Sequence, residues 1–231
     1  DGVWLVDGGM HQLAATMAEL GQQLGVDLHL NTHVSEVLVE NGKVAGVRLK
    51  DGTAVSADAV VFNGDTQAIA AGQLGESASS AVRLRPNHQR ALSALTWCIK
   101  GQASGFDLDH HNVFFESHYP REFNTIFEER SVPSKPTVYV CAQDRGPTGK
   151  RNETERLLML VNAPANGDTQ TWSTHEVSHI RDNALAVLNR CGLNLSFRDD
   201  DCVATTPTDW HSRFPGSGGS LYGGASHGLW S

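Results

Sequence analysis

The sequence predicts an α/β (α+β) fold, and three observations predict it. A helix-period segment is followed by two tight-turn dipeptides and then a continuous apolar run. Further on, short runs rich in Val, Leu and aromatic residues alternate with helix-period segments. The composition, 39% hydrophobic with 23 glycines in 231 residues, is that of a loop-rich globular chain rather than a disordered one.

The elements follow in order. Gly8-Gly9 precede Met10, Leu13, Met17, Leu20 and Leu24, which recur at helical spacing, and Gly25 is the stop. Residues 27–30 alternate and residues 34–39 are rich in Val and Leu, so both read as strands. Asn41-Gly42 turns the chain into a strand over 44–49, and Asp51-Gly52 turns it again into 54–56. Ala59-Val60-Val61-Phe62 reads as a strand buried on both faces, ending at Asn63-Gly64-Asp65. A short helix is expected over 66–74, and the Ser- and Arg-rich stretch 76–89 reads as a boundary. Beyond it, strands are expected over 92–100, 112–115, 137–142, 157–162 and 196–204. Helices are expected over 120–130 and 174–188, with a short one over 207–214 opened by Pro207. Gly216-Ser217-Gly218-Gly219-Ser220 is a flexible or tightly turning loop.

Several function classes are disfavoured. Eighteen basic against 26 acidic residues give a net charge of −8 without a basic cluster, so no nucleic-acid partner is expected. The four cysteines lie far apart without a C-x-x-C pair, which argues against a zinc ribbon and a disulfide scaffold. A reducing compartment is the default. No apolar run approaches the ~20 residues of a membrane span, and no signal peptide is seen. The chain opens and closes within apolar sequence, which suggests a piece of a longer protein.

Four patterns bear on chemistry. His175-Glu176-Val177-Ser178-His179 matches H-E-x-x-H, which would make a zinc hydrolase with Glu176 as base. The same residues also read as a helix start, with Ser173 and Glu176 forming a capping box and Trp172 and Val177 a hydrophobic staple. On that reading His175 and His179 face water, opposite the stripe Val177, Ile180, Ala184, Val187, Leu188 and Cys191, and no metal site is expected. Gly224-Ala225-Ser226-His227-Gly228 matches the nucleophile elbow but lacks the strand before it and the helix after it. His110 and His111 precede a strand, where adjacent side chains point to opposite faces, so a structural role outweighs a metal-binding one. Phe123, Ile126 and Phe127 share a face of the 120–130 helix, which suits either a core contact or a membrane surface.

Several segments together resemble the phytoene-desaturase-type carotenoid oxidoreductases, a branch of the flavin amine oxidase-like superfamily. They are Gly2-Val3-Trp4-Leu5-Val6-Asp7-Gly8-Gly9-Met10, Thr32-His33-Val34, and Ala57-Asp58-Ala59-Val60-Val61-Phe62-Asn63-Gly64-Asp65. A narrower likeness to 1-hydroxycarotenoid 3,4-desaturases, also called methoxyneurosporene dehydrogenases, rests on the later stretches. These are residues 92–98, 110–115 and 136–145, together with Arg213-Phe214-Pro215-Gly216 and the run from Leu221 to Gly228.

The resemblance implies a fragment of a two-domain FAD-dependent oxidoreductase. Residues 1–75 would be part of the FAD domain, 76–205 a carotenoid domain with a mixed sheet and helices on one face, and 206–231 a return segment. The G-x-G-x-x-G that holds the FAD pyrophosphate in the family is not in this chain, so the fragment alone is expected to be inactive. The implied reaction introduces a C=C bond next to the polyene of a hydroxylated or methoxylated carotenoid, with another carotenoid desaturase or isomerase as the alternative. A non-enzymatic lipid-binding module is the reading from a different class. Carried over residue by residue, Val34, Asn63, Gly64, Asp65, Gly8 and Gly9 would face FAD. Trp97, Phe114, Phe115 and Tyr139 would wall an apolar tunnel, and His110 or His111 would be the catalytic candidates. Phe123, Ile126 and Phe127 would touch lipid, placing the enzyme in the cytoplasm, peripherally on the inner photosynthetic membrane.

Overall fold

The computed structural model describes residues 2, 4–145 and 153–224, and it divides into two compact units, Asp1–Val60 and Val61–Ser231. Residues 61–75, expected with the first segment, belong to the second unit.

In the first unit, α1 (Met10–Gln23) starts after Gly9 and ends at Leu24, with Gly25 at φ 88° as the left-handed stop. Its apolar stripe is exposed, from 42% at Leu13 to 70% at Met10. Strands β1 (Val34–Glu40), β2 (Lys43–Leu49) and β3 (Ala54–Ser56) form an antiparallel meander. The β1–β2 turn uses Asn41 and Gly42, both at positive φ, which matches the twist of the paired strands. Residues 27–30 are not a strand, and neither is the 59–62 run. Val61 is 94% exposed. A strand buried on both faces needs paired neighbours on either side, and among the described residues none lies beside it.

The second unit opens with α2 (Thr66–Ala70) and α3 (Glu76–Ser79). Its centre is a six-stranded sheet made of β4 (Ser93–Ser104), β5 (His111–Phe114), β6 (Val138–Ala142), β7 (Glu155–Ala163), β8 (Asn194–Ser196) and β9 (Cys202–Thr205). The order is β5-β6-β7-β4, with β8 and β9 both pairing with β4. Every pairing of this sheet among the described residues is antiparallel, so the expected mixed sheet is corrected. Alternation of strand and helix along the chain does not by itself make a parallel pair, because α4 (Tyr119–Phe127) connects β5 to an antiparallel neighbour. The strand expected over 196–204 is broken into β8 and β9 by a 3-10 turn at Asp199–Asp201, where three adjacent carboxylates favour a solvated turn over a ladder.

Strand alternation sorts the side chains of this sheet. Leu95, Trp97 and Ile99 of β4, Val138 and Val140 of β6, and Leu157, Met159 and Val161 of β7 form one buried face. The helix α5 (Thr174–Arg190) packs there through Ile180, Ala184, Val187 and Leu188. The last helix, α6 (Pro207–Arg213), has Pro207 in its first turn and a capping box from Thr206 and Asp209. The glycine segment after it is tightly packed rather than flexible. Gly218 is at φ 63°, and a Cβ there would stand 2.1 Å from the Arg90 guanidinium. The Ser93 hydroxyl donates to the Gly219 carbonyl at 2.6 Å, and the Gly167 amide donates to the Gly218 carbonyl at 2.8 Å.

Candidate functional site

The opposite face of the six-stranded sheet is partly open. Register places His111, Cys141, Leu158, Cys98 and Val203 in one row across the strands, and Val113, Tyr139, Leu160, Thr96 and Thr205 in the next. Val113 is 49% and Val203 63% exposed. The four expected tunnel aromatics do not form one wall. Trp97 and Phe114 point to the α5 side and are core residues, with Phe106 packed edge-on against Phe114 at 5.2 Å. Tyr139 lies on the open face. Phe115, beyond the end of β5, packs edge-on against Tyr119 at 5.4 Å. Odd–even alternation within a strand separates residues that composition alone would group.

His110 and His111 come together. Their rings are edge to face with centroids 4.6 Å apart. This corrects the expectation that they diverge, because His110 sits in a bend and regular alternation begins only at His111. His111 Nδ1 lies 2.7 Å from the Tyr139 hydroxyl, on a diagonal cross-strand position. His110 Nδ1 lies 2.5 Å from the Arg145 carbonyl. Arg145 is itself fixed, because its guanidinium donates twice to Glu155, at 2.6 and 2.8 Å, and once to the Leu108 carbonyl at 3.0 Å. Cys141 stands directly opposite His111, and one ligand atom each of His110, His111 and Cys141 lies within 4.8 Å of the others. Burial pushes the Tyr139 phenol up to about 12, helped by its contact with Cys141. Burial also pushes the Cys141 thiol up. Both are neutral at ordinary pH.

On α4, the buried Glu122 carboxylate accepts from the Thr137 amide at 2.9 Å and from the Asn162 side chain at 3.3 Å. Asn162 lies on the same face of β7 as Leu158 and Leu160, so α4 is tied to the end of the open face. Ile126 is 1% exposed, and it is corrected from lipid contact to core. Helical spacing instead puts Tyr119, Phe123 and Phe127 in one row, with centroids 5.0 and 6.4 Å apart, and Phe115 extends it.

The residues expected near a cofactor divide between the units. In the first, Gly8 and Gly9 lie at φ 82° and lead into α1 without a side-chain cap, while Val34 opens β1 opposite Leu49. In the second, Asn63 and Gly64 run into Asp65, whose carboxylate caps α2 by accepting from the Gln67 amide at 2.9 Å. Asp65 also lines a polar cavity of about 180 Å³ with Gln67, Arg85, Arg90, Asp168 and His211. Arg90 and Asp168 form a two-bond pair at 2.8 Å each. Burial raises the Asp168 carboxyl, but the hydrogen bonds and charge of Arg90 outweigh it and hold it below the ordinary range. His211 Nδ1 is buried without a partner among the described residues.

The H-E-x-x-H run opens α5 as the expected helix start. Ser173 and Glu176 make the full capping box, and the Glu176 carboxylate accepts from the Ser173 amide at 2.8 Å and its hydroxyl at 2.6 Å. These bonds hold it below the ordinary carboxyl range and commit it to the cap. His175 and His179 are exposed. Residues 225–228 of the G-x-S-x-G run lie outside the described residues.

A helix-and-meander unit, together with an antiparallel sheet that leaves one apolar face partly open, fits a flavoenzyme fragment. Residues 1–228 match the family described as flavin containing amine oxidoreductase, and the chain belongs to that family. Among curated relatives, it is 43% identical over 229 residues to hydroxyneurosporene desaturase of Rubrivivax gelatinosus, covering 99% of this chain and 44% of that protein. It is 30% identical to phytoene desaturase of Neurospora crassa, covering 96% of this chain and 40% of that protein. It is 29% identical to 1-hydroxycarotenoid 3,4-desaturase of a Flavobacterium, covering 98% of this chain and 46% of that protein. The chain thus spans somewhat under half the length of these relatives.

Sequence reasoning missed Cys141, Arg145 and the Asp168–His211 recess. Only the pairing of His111 with Cys141 could have pointed to the first, and that register is a long-range property.

Proposed function

We propose that the full-length protein is an FAD-dependent desaturase that introduces a C=C bond next to the polyene of a hydroxylated or methoxylated carotenoid. Residues 1–75 would contribute to its FAD domain and 76–205 to its carotenoid domain. The observation that carries this reading is the partly open sheet face, where Val113, Leu158, Leu160 and Val203 stand among His111, Tyr139 and two threonines, in a chain 43% identical to a hydroxyneurosporene desaturase. A carotenoid offers little to hydrogen-bond, so apolar burial must hold it. Leu158, Leu160 and Val113 supply that surface, and Tyr139 adds a neutral phenol.

The recess at Asp65 fits a polar part of FAD, because Asp65, Gln67, Arg85 and Asn87 line it together. Asn63 and Gly64 join them as the candidate cofactor residues of this unit, and Gly8, Gly9 and Val34 are the candidates within the first unit, taken by itself. When bound, the flavin supplies the hydride acceptor that no side chain can provide. The second hydrogen leaves as a proton. His111 is the acceptor we assign, oriented by Tyr139, and His110 stands beside it. Access to substrate dissolved in lipid would come through the row Phe115, Tyr119, Phe123 and Phe127, with the enzyme on the cytoplasmic side of the membrane.

The test is incubation of the FAD-loaded full-length protein with a hydroxylated carotenoid in liposomes. Longer conjugation shifts the absorption to the red, and that shift is expected. Retention of FAD with unchanged carotenoid would sink the reading.

A further inference from the structure

We propose that His110, His111 and Cys141 form a binding site for zinc or a similar divalent cation on the open face of the sheet. One imidazole nitrogen from each histidine and the Cys141 sulfur already lie within 4.8 Å of one another. Two nitrogens and one sulfur are the donor set that borderline cations prefer over magnesium or calcium.

Three features make the group a prepared site. Both Nδ1 atoms are engaged, one at the Arg145 carbonyl and one at the Tyr139 hydroxyl, so Nε2 is the open nitrogen of each ring. Such outer hydrogen bonds orient histidine ligands in metal centres. The Arg145–Glu155 pair anchors the His110 side, and the β5–β6 ladder fixes Cys141 against His111. His111 is exposed, so an ion can enter from the open face, where water would complete the coordination.

Four-coordinate zinc holds its ligands roughly 3.5 Å apart. The group must therefore close by about an ångström, through small shifts of the three side chains that keep the His111–Tyr139 bond. Binding forms a metal–sulfur bond as the Cys141 S–H bond breaks, and the proton passes to solvent. The histidines bind as neutral imidazoles. An ion here would occupy the imidazole assigned above as proton acceptor. That consequence, zinc inhibition of desaturation, rests on the functional reading, while the site itself does not.

The experiment is equilibrium dialysis of the FAD-loaded full-length protein against zinc, with cysteine alkylation read by peptide mass spectrometry. FAD content reports folding of each variant. The expected result is a single strong equivalent of zinc, protection of Cys141 from alkylation, and at least a tenfold loss of affinity in His111→Ala and Cys141→Ser. Tyr139→Phe, which removes an outer partner, should weaken binding by about tenfold or more. His175→Ala and His179→Ala should change nothing. If Cys141→Ser loses FAD, His111→Ala carries the test. Zinc binding equal in wild type and His111→Ala, or absent from both, would overturn the site. Zinc binding without inhibition would leave the site standing and count against His111 as proton acceptor.

Discussion

At the scale of single residues, the most informative position is Gly64. A Cβ built there would meet the Phe62 ring, so any side chain must displace that ring in the stretch of chain that leads into Asp65. Gly64→Val is therefore expected to lower FAD retention in the full-length protein, measured as the flavin-to-protein absorbance ratio. His175→Ala should leave the ratio unchanged, since His175 is exposed on the first turn of α5. Equal ratios for the two variants would remove Gly64 from the cofactor region. The same scale shows what local sequence can reveal. The box of Ser173 and Glu176 involves two residues three apart, so the sequence alone makes it legible. The meeting of His111 with Cys141 involves residues 30 apart on different strands, and no local spacing announces it.

Among the elements, α5 shows how periodicity becomes packing. Its stripe at Ile180, Ala184, Val187 and Leu188 matches the helical repeat and lands on the face built by Trp97, Met159 and Val140. Leu188 is fully buried, and Leu188→Ala is expected to cost about 2–5 kcal/mol in a urea unfolding experiment. A loss near zero would mean that α5 does not seal the sheet. The helix α4 behaves differently. Its sequence predicted one apolar face, but the structure divides that face between Ile126, which is core, and the partly exposed pair Phe123 and Phe127. Inserting the two phenylalanines into lipid would contribute about 1.5–3 kcal/mol each, less ordering costs. Liposome flotation of full-length protein with Phe123→Ser and Phe127→Ser together should show reduced membrane binding. If the folded variant floats as the wild type does, the row serves another purpose.

Across the whole molecule, acid stability reports the long-range ion pairs. Asp168 bonds to Arg90 across 78 positions, and Asp144 bonds to Arg156. The Arg156 hydrogen bond lowers the Asp144 carboxyl, while at Asp168 burial works upward and Arg90 prevails downward. Both carboxyls thus titrate below their ordinary 3.8 in the folded chain. In that window the unfolded chain binds protons more tightly, so the contribution of these pairs is complete above about pH 4 and lost as pH falls through the folded values. Unfolding midpoints measured from pH 6 to 2 should drop below pH 4, and Asp168→Asn should flatten part of that drop. An unchanged profile in the variant would mean that the Arg90 pair does not couple to folding.

The sequence by itself determined the helices α1, α4 and α5, the hairpin turn at Asn41-Gly42, the cap at Ser173, the Pro207 start of α6 and the family likeness. All of these but the likeness rest on spacings of a few residues, where side-chain period and backbone sterics act directly. Tertiary structure alone decided the antiparallel sheet, the exposed 59–62 run and the division of the aromatics between two faces. It also decided the gathering of His110, His111 and Cys141. Alternation along a strand yields two sets of side chains, but only register with distant strands, and the helix that covers one side, determines which set meets the core and which meets a ligand.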